Sequence, residues 1–197
     1  MPNVEVPERF EQDIKDHVVT IAQDDGVYRN IVCKIPHSGF YAFQITTWPG
    51  YLAISGDMGF NAWSRANDMF SFFRGQLNGA IHNTMYVTEK CVTKPVTKFD
   101  IDTAIASLKE WFDNHYDDPD THDEYLEDLD TNVLSSVTDE WDFVDTVRGY
   151  TFPDGGMIDD FLGEYGLSGY DYNYLWQLLA IDWTIKQYDL QKETPNG

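Results

Sequence analysis

The chain has no long hydrophobic run. Its apolar stretches are short and interrupted, and none approaches the ~18–20 consecutive apolar residues that a membrane-spanning helix needs. Met1 to Phe10 holds acids and prolines without an apolar segment, so no secretory signal is expected there. Cysteine is scarce. Cys33 and Cys91 are too few for a disulfide framework or a metal quartet, and both are expected as reduced, buried thiols. The shortage of basic residues is sharper still. Of 197 residues only 13 are Lys or Arg, against 34 Asp or Glu, for a formal net charge of −21.

Signatures of catalysis are missing as well. There is no phosphate-binding loop and no dinucleotide fingerprint. Gly166-Leu167-Ser168-Gly169 has the wrong spacing for a nucleophile elbow. The histidines, His17, His37, His82, His115 and His122, are scattered and form no metal-binding pair. The run Asp117 to Glu124 resembles a calcium loop only superficially, because counting from Asp118 the sixth position is Asp123, where the sharp turn needs glycine. No cofactor, metal or catalytic residue is expected on these grounds.

What is present is a lopsided charge. Residues 1–100 hold 11 acids and 9 bases, whereas residues 101–197 hold 23 acids and 4 bases. No Lys or Arg lies between Glu110 and Val147. A uniformly salt-adapted protein would be acidic throughout, so the balanced first half argues for a localised cause. Such a field repels nucleic acid and anionic membranes and attracts basic surfaces. Hydrophobic residues make up 42% and aromatics 15%, enough to fill a core.

The periodicity predicts an α+β fold over a single domain, 1–197, with a sheet-containing half (1–100) and an acidic helical half (101–197). Phe10, Ile14, Val18 and Ile21 recur at helical spacing, which predicts a first helix over Glu8 to Gln23, ended at Gly26. Four β-rich runs follow: Val27 to Ile35, Phe40 to Trp48, Tyr51 to Ser55 and Phe60 to Ser64. Tight turns at Trp48-Pro49-Gly50-Tyr51 and Gly56-Asp57-Met58-Gly59 join the last three, so an antiparallel meander of three or four strands is expected. Helices are expected from Asn67 or Asp68 to Gly75, over Thr84 to Val92, Asp100 to His115, Asp123 to Leu134, Thr138 to Val147 and Tyr172 to Tyr188.

The span Thr46 to Arg74 reads TTWPGYLAISGDMGFNAWSRANDMFSFFR. It resembles a family of small, uncharacterised proteins of bacteriophages and other mobile elements, whose pattern is a TWPG turn, a GDMG turn, SR and DMFxFFR. Tyr86, Glu89-Lys90, Ala180-Ile181 and Gln187-Tyr188-Asp189 continue it. The resemblance implies a phage or prophage accessory protein acting in a bacterial cytoplasm, and it implies no catalytic residue. The stretch Asp113 to Asp145 lies outside the matching blocks.

The expectation from charge and resemblance together is an inhibitor of a host nucleic-acid-binding defence protein, of restriction or CRISPR type. It would bind that protein's basic surface directly, by mimicry of DNA, without contacting nucleic acid or membrane. The carboxylates expected on its binding face are Asp113, Asp117, Asp118, Asp120, Asp123, Glu124, Glu127, Asp128 and Asp130, exposed and without compensating bases. Two alternatives stand beside it. One is an enzyme or small-ligand binder using Trp48, Asp57, Arg65 and Arg74 around the turns; the other is a phage assembly factor. The aromatics Tyr165, Tyr170, Tyr172, Tyr174, Trp176 and Trp183 read as core, with the tyrosine-rich Gly163 to Tyr174 as a candidate interface.

Overall fold

The protein is described by a computed structural model covering residues 5–77, 83–93, 96–116 and 118–193. His82 and Asp117 lie outside the described residues. The fold is α+β: an N-terminal helix, a five-stranded antiparallel meander, then a helical C-terminal half. Two compact units divide the chain. Asn3–Val96 and Tyr170–Gly197 form one, and Thr97–Gly169, inserted between them in sequence, forms the other.

In the first unit, α1 (Glu5–Ile14) precedes strands β1 (Val18–Asp25), β2 (Tyr28–Lys34), β3 (Phe43–Trp48), β4 (Tyr51–Gly56) and β5 (Gly59–Ser64), which pair in sequence order. The first helix is therefore shorter than its apolar spacing predicts. Val18 and Ile21 continue the stripe of Phe10 and Ile14 by coincidence of spacing. Val18-Val19-Thr20-Ile21 is β-branched throughout, and the chain pairs it with β2, Val19 opposite Cys33 and Ile21 opposite Ile31. Gly26, with φ +62°, turns the β1–β2 hairpin rather than capping a helix. This strand raises the sheet to five.

The meander buries one face. Ile31, Ile45, Leu52, Ile54 and Trp63 alternate inward and are at most 1% exposed. They share a core with α8 (Tyr172–Glu193), whose Tyr174 to Leu178 are all buried. An all-round apolar turn of helix needs cover on every side. Phe10 of α1 packs edge-on to Trp176 at 5.2 Å, and Trp176 Nε1 donates to Asp13 at 3.0 Å. Helix α2 (Met69–Gln76) adds Phe70 and Phe73, and α3 (Thr84–Glu89) adds Val87.

The inserted unit runs through β6 (Thr97–Phe99), α4 (Ile101–His115), α5 (His122–Leu129), α6 (Glu140–Gly149), α7 (Phe161–Glu164) and β7 (Ser168–Tyr170), with β6 paired to β7. It has its own core, built on Leu108, Phe112, Leu129, Val133, Phe143 and Phe161, each fully buried. Among the described residues no helix is long and apolar enough to cross a membrane.

Candidate functional site: the acidic inserted unit

The charge follows the units rather than the midpoint of the sequence. Thr97–Gly169 carries 20 of the acids and three Lys or Arg, a net −17, while the rest of the chain carries 14 and ten, a net −4. A boundary at residue 100 places Tyr172 to Glu193 with the acidic half. The structure instead places that helix in the core under the sheet.

Helix α4 is set by Asp100, whose carboxylate accepts the Thr103 N–H at 2.8 Å. Its apolar stripe buries Ala104, Leu108, Trp111 and Phe112, which turns Asp113 to solvent. Asp118, Asp120, Asp123, Glu124 and Glu127 are exposed too. In α5, Leu129 is buried and Leu126 packs against the core, as the four-then-three spacing of Asp123, Glu127 and Asp130 predicts. The helix does not run on unchanged to Leu134. From Asp130 to Leu134 it widens into a π-helical turn, in which Ser135 N–H reaches Asp130 O at 2.9 Å. Helix α6 begins with a side-chain cap: Asp139 accepts from Asp142 N–H at 3.0 Å, and the Asp142 carboxylate accepts from the N–H of Thr138, one residue before the cap, at 3.0 Å.

Several of the expected carboxylates have partners: Asp118 accepts the Asp120 N–H at 3.0 Å, and Asp123 Oδ1 lies 3.5 Å from His122 Nδ1. Asp130 is paired with Lys109 Nζ at 2.9 Å. Asp113 Oδ1 lies 3.1 Å from His122 Nε2. Asp128 is half-buried and accepts from the Tyr150 hydroxyl and, at 2.8 Å, from Asn132 Nδ2. The face is thus not free of compensating bases. Lys109 and a protonatable His122 moderate it through contacts between α4 and the α5 segment, Lys109 to Asp130 and His122 to Asp113. The hydrogen bond to Asp113, with a second contribution from Asp123, raises the His122 pKa above its ordinary value and outweighs the burial that lowers it. Burial first, and Asp128 second, push the Tyr150 hydroxyl well above the ordinary tyrosine value.

The alternative constellation is not one place. Trp48 and Tyr51 stack at 5.3 Å where β3 turns into β4. Arg65 sits near this end, its N–H donating to Gly50 O at 3.2 Å and its Nε to Tyr86 Oη at 3.4 Å. Asp57 occupies the opposite end of the β4–β5 hairpin, since Tyr51 pairs with Ser64 and Gly56 with Gly59. Six residues of strand put about 17 Å between those ends. The Asp57 carboxylate accepts the Tyr41 N–H at 2.9 Å and its own N–H donates to Ala42 O at 2.9 Å, so it fastens the turn to the preceding loop. A Cβ on Gly56 would overlap Ala42 O, which accounts for that glycine as packing. Arg74 is engaged by Asp189, with Nε at 2.8 Å and Nη2 at 2.5 Å.

Among the described residues, no three His, Cys, Asp or Glu side chains are grouped to hold a metal ion. Of the tyrosine-rich stretch, Tyr174 and Trp176 are buried, while Tyr172 is exposed beside Arg9. Sequence reasoning missed the Arg29–Asp68 pair, whose partners are 39 residues apart. No protein-family model, curated protein or solved structure matches this chain.

Proposed function

We propose that this chain is an inhibitor encoded by a bacteriophage or related mobile element, acting in the bacterial cytoplasm on a host nucleic-acid-binding protein of the restriction or CRISPR type. It occupies that protein's basic groove with the acidic unit and performs no chemistry. The observation that carries the reading is the net −17 gathered in one compact unit with its own aromatic core. The resemblance of Thr46 to Arg74 to mobile-element proteins supports the origin.

A groove built for duplex DNA expects one negative charge per ~1.7 Å of axis. Carboxylates every three or four residues on a helix give one per about 4.5–6 Å. One stripe therefore reaches about a third of the duplex density, and α4, α5 and α6 together are needed to approach it. All three carry exposed acids: Asp113, Asp123 with Glu127, and Asp145. Because helices and a packed core fix these carboxylates, little ordering entropy is lost on binding.

Affinity capture tests the reading. The full chain and its Asp120→Asn/Asp123→Asn/Glu127→Gln/Asp130→Asn variant are immobilised, and bacterial lysate treated with nuclease is passed over both. The expected result is a nucleic-acid-binding protein retained by the natural chain and lost from the variant. Equal retention by both removes the acidic unit from the account.

A further inference from the structure

In the first unit two cations converge on one tyrosine. Strand β5 is tied to the end of α3: Ser64 N–H donates to Lys90 O at 3.0 Å, Val92 N–H donates to Ala62 O at 2.8 Å, and Trp63 bridges Cys91. Arg65 follows Ser64, so this tie sets it beside Lys90, and its own N–H is held by Gly50 O at 3.2 Å. Tyr86 and Lys90 are four residues apart and share a face of α3, because Lys90 keeps helical dihedrals just past the helix end. Arg65 Nε donates to the Tyr86 hydroxyl at 3.4 Å, and Lys90 Nζ lies 4.6 Å from the centre of the Tyr86 ring. Phe72 packs on the same ring at 6.0 Å.

The donors of this cluster are not saturated. The Arg65–Tyr86 hydrogen bond is longer than the usual ~2.9–3.0 Å. Arg29 and Arg74 each hold a carboxylate, Asp68 and Asp189, whereas among the described residues no carboxylate pairs with the exposed Arg65. Glu89 joins the cluster through Lys90, Oε2 to Nζ at 3.3 Å. The Arg65 hydrogen bond leads in holding the Tyr86 hydroxyl below the ordinary tyrosine value. The charges of Arg65 and Lys90 add to it, while burial and Glu89 oppose it. Arg65, Tyr86, Glu89 and Lys90 are all among the residues that carry the mobile-element resemblance, and the inhibitor role uses none of them.

We propose that Arg65, Tyr86 and Lys90 form a binding site for a phosphate monoester. The guanidinium offers a planar fork of donors, the ammonium a mobile point charge, and the tyrosine hydroxyl a third donor. A monoester carries about −1.5 to −2 charges and three acceptor oxygens at neutral pH, which matches two cations and three donor groups. A carboxylate brings one charge and two oxygens and leaves part of the set unused. The diester backbone of nucleic acid brings one charge per phosphate, and the chain's net −21 repels it as a polymer. A bound monoester takes over the Arg65 donors from the long bond to Tyr86 and draws Lys90 away from Glu89. This site and the acidic unit rest on different residues, so each idea can fail alone.

Nuclear magnetic resonance of the full chain tests the inference, following the Arg65 Nε–H and the Tyr86 ring during titration with inorganic phosphate and with phenyl phosphate, against chloride at matched ionic strength. Expected is a saturable shift of both signals with phosphate or its ester and none with chloride. Tighter binding of phenyl phosphate points to an esterified ligand, and equal binding to the phosphate group alone. Arg65→Gln should weaken binding by at least about tenfold, the equivalent of one hydrogen bond between charged groups. Glu89→Gln should tighten it by removing the like charge. Saturating ligand should raise the Tyr86 pKa, because it withdraws Arg65 and adds negative charge, a change that a purely structural Arg65 does not produce. Shifts that never saturate, or that chloride reproduces, overturn the inference. So does binding that Arg65→Gln leaves intact.

Discussion

Arg29 on β2 and Asp68 at the head of α2 meet in a two-pronged ion pair, Nη1–Oδ1 at 2.9 Å and Nη2–Oδ2 at 3.2 Å. Arg29 is only 8% exposed and lies over the rings of Phe70 and Tyr188, at 4.6 and 5.6 Å. Asp68 also caps α2, accepting the Phe70 N–H at 2.9 Å. One carboxylate thus fixes the start of a helix and neutralises a cation held against the sheet. Asp68→Ala removes both and leaves Arg29 without its counter-charge. It should cost about 3 kcal/mol, the lower end for breaking a buried pair because Asp68 is part-exposed. Asp68→Asn keeps a capping oxygen and should cost less. Urea unfolding of both variants measures the difference.

The same pair sets an acid limit on stability. Burial raises the Asp68 pKa, but the Arg29 hydrogen bonds and charge outweigh it and hold the carboxyl below its ordinary value. Asp24, burial notwithstanding, is held down likewise by Lys192 and Tyr188. A folded-state pKa below the unfolded one gives stability that is present above the unfolded value, about 3.9, and lost as pH falls through the folded value. Unfolding followed downward from pH 5 should show this loss in the natural chain. Asp68→Asn should flatten it.

His122 behaves with the opposite sign. Its raised pKa means that its contribution is present below the ordinary histidine value, about 6.5, and fades as pH rises through the folded one. Proton-detected titration of His122 should give a pKa above that of a free histidine. Asp113→Asn should bring it down, since the Asp113 contact at 3.1 Å is the leading cause.

The cysteines should be inert in the native protein. Cys33 and Cys91 are free and buried. Burial pushes the Cys33 thiol up to about 12, despite the Thr184 hydroxyl 3.5 Å away. At pH 8 its thiolate fraction is on the order of one in ten thousand. Alkylation followed by intact mass should add nothing to Cys33 in buffer and should reach both thiols in denaturant. Rapid native labelling of Cys33 would contradict its packing under α8.

The strands from Tyr28 onward were legible because turn residues punctuate them: Pro49 and Gly50 at one hairpin, Gly56 and Gly59 at the next. Positive φ at Gly50, Gly56 and Gly59 bears out the need for glycine. The first strand was not legible. Val18 and Ile21 satisfy a helical stripe and a strand equally over so short a run, and only pairing with β2 decides between them. The acidic face was readable from helical spacing, since the acids recur opposite Leu126 and Leu129. Its neutralisation by Lys109 was not, because that contact depends on how α4 lies beside α5. The unit boundary was hidden for a similar reason: α8 follows the acidic helices in sequence but joins the core of the sheet.

The central claim is that the acidic unit displaces nucleic acid from a basic groove, and a displacement titration measures this directly. A fluorescent duplex is bound to the nucleic-acid-binding protein retained by affinity capture, and the full chain is titrated in at several salt concentrations. The expected result is release of the duplex, with an apparent affinity that weakens steadily with salt. The variant Asp120→Asn/Asp123→Asn/Glu127→Gln/Asp130→Asn should displace at least about tenfold less well while unfolding near the same urea concentration, since exposed substitutions shift stability by about 0.5 kcal/mol or less each. Displacement by the variant at the natural chain's concentration, with the same salt dependence, would contradict the account.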